Sequence, residues 1–222
     1  MLSEAECDQI SAAVAAAELR SAGEIVTIVA ERSDAYHDVA LHWAILAMLL
    51  TVALVALLPD YLYDRIVLLA GGWGEVDQRG RQIALLIGAM ILVFLIVRLL
   101  LAIRPLRNRL IPKRTAIRRV RRRAVDLFRA AGRGRTTGRT AILLYLSLAE
   151  RRAELVVDEF ILARVDQSAW EVAMATLVEA VREGRAGDGM VAAIHQIGDV
   201  LAIHCPRSDD DKNELPDRVI TL

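Results

Sequence analysis

Two long apolar runs dominate the pattern of hydrophobic and polar positions along this chain. The first covers residues 41–58 and contains no acidic residue, lysine or arginine, and the second covers residues 83–103 with Arg98 as its single charge. A helix needs about 20 apolar residues to cross the hydrocarbon core of a bilayer. The alternative, a buried core helix, usually keeps a polar face that these runs lack. The pattern therefore predicts a transmembrane helical hairpin over 41–103, with spans at about 41–60 and 83–103.

The hydrophobic pattern on either side of this hairpin predicts a soluble α/β domain. A helix over 4–20 capped by Ser3 and a β-branched strand over 24–31 precede the hairpin. The predicted elements after it are an amphipathic helix from Thr115, strands over 139–148 and 153–158, and helices over 166–183 and 188–204. Apolar strands of this kind need helices over them. The predicted fold class is therefore α/β, a small mixed sheet covered by helices and interrupted by the hairpin.

This interpretation divides the chain into four segments. Residues 1–40 supply the first helix and strand, 41–103 form the hairpin, 104–206 hold a basic helix and the main domain, and 207–222 form an acidic tail. The 159 residues outside the hairpin are enough for one ordinary domain.

Positive charge is concentrated directly after the second apolar run. Residues 104–123 contain ten lysines and arginines and no carboxylate, whereas the loop 59–82 has three arginines against four carboxylates. Because lysine and arginine near a span stay on the cytoplasmic side, we expect both termini and the main domain in the cytoplasm. The basic segment is expected to contact anionic lipid headgroups. That contact explains the charge without invoking nucleic acid.

The chain contains no familiar catalytic motif. It lacks a phosphate-binding loop, a Cys-x5-Arg signature and a His-x-x-x-His pair, and Cys7 and Cys205 are expected to be unpaired thiols. His195 and His204 are nine residues apart, which places them on opposite sides of a helix. No cofactor is therefore predicted from motifs, and the catalytic residues stay unknown.

One polar cluster surrounds the predicted strand hairpin. The sequence predicts an ion-pair cluster of Arg139, Glu150 and Arg152. We favour the interpretation that this cluster lies on the surface and contributes less than about 1 kcal/mol to stability. The functional alternative is a calcium site, because this ion binds carboxylate oxygens. Asp158 and Glu159 at the end of the third strand and Asp166 before the next helix are its candidate ligands.

The residues after the hairpin resemble the TPM-domain family. The resemblance rests on TGRTAILLYLSLAERRAELVVDE (137–159), Trp170, the glycines of EGRAGDGMVAAIHQIGDVLAIHCP (183–206) and NELPDRV (213–219). It implies an α/β sandwich, to which residues 1–34 contribute the opening helix and strand. Some members have been credited with phosphatase activity and calcium binding, and bacterial members are associated with LemA-type proteins. Many members place this domain outside the cytoplasm, in contrast to the charge pattern here.

Together these features predict a protein of the bacterial inner membrane with two spans. Its expected role is a non-enzymatic scaffold or an assembly and quality-control factor for membrane proteins, with a LemA-type protein as a possible partner. The alternative is a membrane-bound, metal-assisted phosphatase.

Overall fold

A computed structural model describes residues 2–57, 78–131, 140–207 and 215–222. The chain divides into two compact units, one made of Met1–Ala35 and Lys113–Leu222 and the other of Tyr36–Pro112. Most of the predicted loop 59–82, including the short apolar stretch at 66–72, lies outside the described residues.

The helices and strands predicted from the sequence occur in the predicted order, together with short elements that were not predicted. In chain order they are α1 (Glu4–Glu18), β1 (Glu24–Ala30), α2 (His37–Leu57), α3 (Gln78–Leu100), α4 (Arg104–Arg109), α5 (Lys113–Ala131), β2 (Ala141–Ser147), β3 (Arg152–Val157), α6 (Glu159–Leu162), a 3-10 turn (Gln167–Trp170), α7 (Glu171–Arg182), α8 (Ala186–His204) and β4 (Ile220–Thr221). The predicted cap at Ser3 is confirmed, because Ser3 and Glu6 form a capping box at the start of α1.

The four strands form one mixed sheet in the order β3-β2-β1-β4. Strand β1 pairs in parallel with β2 and β4, and β2 pairs antiparallel with β3. All seven residues of β1 and of β2 are buried. The predicted α/β class and the three predicted strands are confirmed, and the strand that precedes the hairpin occupies the interior of the sheet.

Strand β4 lies where the sequence predicted only an acidic tail. The amide of Leu222 donates to the carbonyl of Val29 at 3.0 Å, and the amide of Glu31 donates to the carbonyl of Leu222 at 2.9 Å. Two residues are too few to show the alternation by which a strand is recognised. Residues 208–214 of the predicted tail lie outside the described residues.

Helices cover both faces of the sheet. Side chains from α1, α7 and α8 pack on one face against Ile25 and Val29, and side chains from α5 pack on the other against Val26 and Ile28. Helices α1 and α8 approach closely, since a Cβ added at Gly198 would lie 2.7 Å from the Cβ of Ala17. This layered arrangement agrees with the predicted sandwich.

The second unit contains the two apolar helices. Segments His37–Leu57 and Gln82–Leu100 are long and apolar enough to cross a membrane, by length and composition. Helices α2 and α3 pack against each other, and many of their large apolar side chains are exposed, as on a surface that meets lipid. The indole nitrogen of Trp43 donates to the carbonyl of Leu110 at 3.2 Å, which joins the start of α2 to the chain after α4. The two helices thus have the form expected of a hairpin.

Candidate functional site

Polar side chains gather where the parallel strands β1 and β2 end. Ser33 follows β1, Tyr145 and Ser147 belong to the last part of β2, and Glu150 lies in the turn that leads to β3. We call these four residues the Glu150 cluster. Ligands of open α/β sheets commonly bind outside the carboxyl ends of parallel strands, so this position is the first candidate for a functional site.

Glu150 organises the cluster by accepting several hydrogen bonds. The backbone amide of Ser33 lies 3.3 and 3.4 Å from its two carboxylate oxygens. The hydroxyl of Ser147 donates to the same carboxylate. The Oγ of Ser33 and the phenolic oxygen of Tyr145 are 2.9 Å apart. The cluster therefore connects the segment before α2 to the β2–β3 turn.

Burial determines the electrostatics of the cluster. Removal of Tyr145 from water raises the pKa of its phenol, an effect that its hydrogen bond to Ser33 and the nearby Arg123 oppose. The phenol is therefore neutral at physiological pH. A guanidinium nitrogen of Arg119 on α5 lies 2.9 Å from the carboxylate of Asp34, directly after the cluster. Helix α5 is thus held to the same chain segment.

The cluster joins three parts of the fold, and its Ser147 hydroxyl is closed to a substrate. Ser147 is next to a carboxylate, as an activated serine would be, but its exposed fraction is 0%. A substrate cannot reach this hydroxyl without opening of the sheet. The cluster is therefore suited to fixing the chain where it leaves β1.

Two of the three residues of the predicted ion-pair cluster, Glu150 and Arg152, lie in the described part of the chain, and the ion-pair cluster stays a prediction. Glu150 belongs to the cluster above, and Arg139 lies outside the described residues. Arg152 begins β3, where its charge and that of Arg121 partly offset the rise in the pKa of Glu154 that burial causes. The site that the structure forms around Glu150 thus contains serine and tyrosine partners that the sequence prediction did not include.

Two of the predicted calcium ligands, Asp158 and Asp166, cap short helical segments. A carboxylate oxygen of Asp158 accepts from the amide of Glu159 at the start of α6, 3.0 Å away. Asp166 accepts from the amide and hydroxyl of Ser168, and these bonds lower the pKa of its carboxyl. The loop expected between the two aspartates contains helix α6, which the sequence analysis missed.

No group of three or more His, Cys, Asp or Glu side chains is placed to hold a metal ion within the described ranges. Two of the three predicted ligands, Asp158 and Asp166, each accept a hydrogen bond from a backbone amide through one carboxylate oxygen. The calcium site stays a prediction from the sequence.

A second polar cluster lies at the opposite end of β1 and was not predicted. Glu18 accepts from the amide of Ile25 at 2.8 Å, and Glu24 accepts from the amide of Leu215 at 3.2 Å. Burial raises the pKa of Glu18 to about 8, and the charges of Glu24 and Asp217 add to this rise. Nothing in the sequence around Glu18 distinguishes it from an exposed helix-end glutamate, because its partners come from distant segments.

Comparison with known proteins agrees with the fold. Residues 110–200 match the model of the TPM domain. The NMR structure of the BA42 protein from the psychrophilic bacterium Bizionia argentinensis is similar, with 16% sequence identity, a TM-score of 0.57 and coverage of 100% of this chain and 96% of that one. At this identity the likeness shows the fold alone. Comparison with curated proteins finds no match.

Proposed function

We propose that this chain, which carries a TPM domain over residues 110–200, is a membrane-anchored scaffold that assembles or monitors membrane proteins. In this role the two apolar helices hold the domain at the bacterial inner membrane, with the domain on the cytoplasmic side. The partner expected from the family resemblance is a membrane protein of the LemA type. The second candidate function is a membrane-bound phosphatase, which the name of the matching family model favours.

The observation that carries the proposal is the position of β1. This strand precedes the apolar helices in the chain, yet it lies between β2 and β4, which both follow them. The sheet is complete only when segments from both sides of the hairpin come together. A domain built in this way is connected to the membrane segment by two chain connections, one before α2 and one before α5.

The exposed basic side chains of helix α5 support a position of the domain close to the membrane surface. One side packs on the sheet through Val120, Ala124 and Phe128. The exposed basic side chains of this helix are Lys113, Arg114, Arg118, Arg121, Arg122, Arg123 and Arg129. Cytoplasmic membrane leaflets attract such clusters through their anionic lipids, by about 1 kcal/mol for each basic residue near the surface.

The Glu150 cluster favours the scaffold over the phosphatase. The hydroxyl of Ser147 donates to the carboxylate of Glu150, and Ser147 is fully buried. The hydrogen bonds of Ser33 to Glu150 and to Tyr145 connect chain segments that are more than 100 positions apart in sequence. These bonds are suited to holding the split domain together.

Phosphate release by the purified full-length protein distinguishes the two functions. The protein in detergent is incubated with p-nitrophenyl phosphate and with a phosphopeptide, in Mg²⁺, Ca²⁺ or EDTA, beside a Glu150→Gln variant. The scaffold proposal predicts release no faster than in the absence of protein. Release that requires the parent protein and a divalent cation would contradict the proposal and establish the phosphatase.

Photo-crosslinking in intact membranes tests the scaffold directly. A photoreactive residue is placed at Arg122 on the exposed side of α5, and the control position is Ala175 on the exposed side of α7. We expect discrete adducts with membrane proteins from the probe at position 122 and few from the control probe at position 175. An absence of protein adducts at both positions would count against a scaffold.

A further inference from the structure

Strand β3 forms an open edge of the described sheet, because the strand order places it next to β2 alone. The amide of Asp158, directly after β3, donates to the carbonyl of Ala141 on β2 at 3.0 Å. Backbone groups of an antiparallel strand alternate between its two sides. The amides and carbonyls of Ala153, Leu155 and Val157 therefore point away from β2 and are available to a further strand.

A groove of about 400 Å³ runs beside this edge. It is lined by Leu155 and Val157 of β3, by Arg121 of α5, and by Trp170 and Met174 from the other layer. All six residues of β3 are only partly buried, unlike those of β1 and β2. The edge thus combines free backbone groups with apolar side chains, as required for strand addition.

Two buried polar atoms along this edge lack a hydrogen-bond partner among the described residues. One is the donor Nε1 of Trp170, whose side chain lines the groove, and the other is the acceptor Oδ2 of Asp158. Both residues are more than nine-tenths buried. A buried polar group without a partner is destabilising, so an occupant that supplies a partner would stabilise the edge.

We propose that the occupant is a second copy of this chain, whose β3 pairs antiparallel with β3 about a two-fold axis at Leu155. In this register Leu155 faces the partner's Leu155, and Ala153 faces the partner's Val157. Each of the three residues with outward backbone groups then lies opposite a partner residue whose backbone groups also point outward. The three pairs give about six inter-strand hydrogen bonds. The two four-stranded sheets become one continuous sheet.

Charge complementarity favours a second copy over an unrelated peptide. The same register places Arg152 directly opposite the partner's Asp158, on the face of the sheet that α5 covers. Arg152 then lies opposite a carboxylate that has one oxygen without a partner among the described residues. The two-fold axis forms this ion pair twice. Shifting the axis by two residues, to Ala153, would place Leu155 opposite the partner's Arg151, which lies in the turn with φ of 49° and outside the strand.

This pairing does not depend on the scaffold role, and disulfide trapping tests it. In a Cys7→Ser, Cys205→Ala background, full-length Glu154→Cys and Val156→Cys chains carry different tags and are produced together in the same membranes. Residues 154 and 156 form a directly opposed, non-hydrogen-bonded pair in the proposed register, with Cα atoms about 4.5 Å apart. Mild oxidation should join the two chains in a mixed disulfide. Two Ala175→Cys chains serve as the control.

Each cysteine alone should form far less dimer, because position 154 lies about 8 Å from the partner's 154, beyond the reach of a disulfide. Mixed disulfide at no more than the level of the Ala175→Cys control would overturn the proposal. Equal trapping by Glu154→Cys alone would overturn the register.

A substitution that affects only the outer side of β3 provides a second test. Ala153→Pro removes an outward amide and leaves the bonds to β2, whereas Ala153→Ser keeps that amide. Arg152→Glu reverses the proposed ion pair, with Arg151→Glu in the exposed turn as its matched control. Light scattering of the full-length protein in detergent should show dimer for the parent and both controls. We expect at least tenfold weaker dimerisation for Ala153→Pro and Arg152→Glu with unchanged circular dichroism. A monomeric parent, or equal dimerisation of all variants, would contradict the pairing.

Discussion

Arg119 and Asp34 form an ion pair with a 2.9 Å separation across 85 positions of sequence. Asp34 precedes the two apolar helices, and Arg119 lies on α5, the first helix of the domain after them. The pair therefore connects the two chain segments through which the domain meets its apolar hairpin. Together with the Glu150 cluster, it fixes the end of β1 on the domain side.

We expect a double-mutant cycle of Asp34→Asn and Arg119→Gln to give a coupling energy of about 0.5–1 kcal/mol. The side chains are 39% and 18% exposed, so solvent weakens the attraction but does not remove it. Denaturant unfolding of the full-length protein in detergent measures the free energy of each variant. Additive effects of the two substitutions would show that the pair does not connect the segments energetically.

Strand β1 should be essential to the stability of the domain. Ile28→Ala is expected to lower the free energy of unfolding by about 2–5 kcal/mol, because the side chain is 1% exposed and packs within the sheet–α5 core. The matched control is Val172→Ala, at a position that is 66% exposed. This substitution should change the free energy of unfolding by less than about 0.5 kcal/mol. Similar effects of both substitutions would contradict an interior position for β1.

The contact between α1 and α8 should not tolerate a larger residue. Gly198→Ala places a methyl group 2.7 Å from the Cβ of Ala17, and we expect a loss of about 1–3 kcal/mol by overpacking. Gly88→Ala is the control, since an added Cβ there meets no atom within 4 Å. Thermal unfolding followed by circular dichroism compares the two. Stabilisation by Gly198→Ala would show that the helices do not meet at this glycine.

Stability should fall as pH rises from about 5 to 8. The carboxyl of Glu18 has a pKa of about 8 in the folded protein, against 4.5 as the ordinary value. Between these values the folded state binds a proton that the unfolded state has released, so rising pH favours unfolding. Glu18→Gln keeps an acceptor for the amide of Ile25 and should flatten this dependence. Equal pH dependence of the parent and Glu18→Gln would exclude Glu18 as its source.

The main elements of the fold could be predicted from the sequence because their signals are local. Strands β1 and β2 are continuous apolar stretches bounded by polar residues, and the apolar helices are long and nearly free of charge. Strand β4 and helix α6 are too short to show a period. Their structure depends on Val29 and on the cap at Asp158, which a pattern of a few residues does not reveal.

The candidate site was harder to predict because its partners are distant in sequence. The sequence predicts an ion-pair cluster around Glu150, and the partners of Glu150 in the fold include the amide of Ser33 across 117 positions. The sequence also predicts Asp158 and Asp166 as oxygen ligands, and in the fold both cap short helical segments. Metal ligands and helix caps are both commonly acidic residues at the ends of strands and helices. The positions of Asp158 and Asp166 in the sequence therefore do not distinguish a metal ligand from a helix cap.

Thiol labelling of intact cells tests the central claim most directly, since the claim places the whole domain on the cytoplasmic side of a two-span hairpin. Single cysteines are introduced at Asp77, between the apolar runs, and at exposed Ala175 on α7, in the Cys7→Ser, Cys205→Ala background. A membrane-impermeant maleimide should label the cysteine at 77 in intact cells, and the cysteine at 175 only after the membrane is permeabilised. Labelling of the cysteine at 175 from outside, with protection of the cysteine at 77, would contradict the orientation and with it the proposed cytoplasmic scaffold.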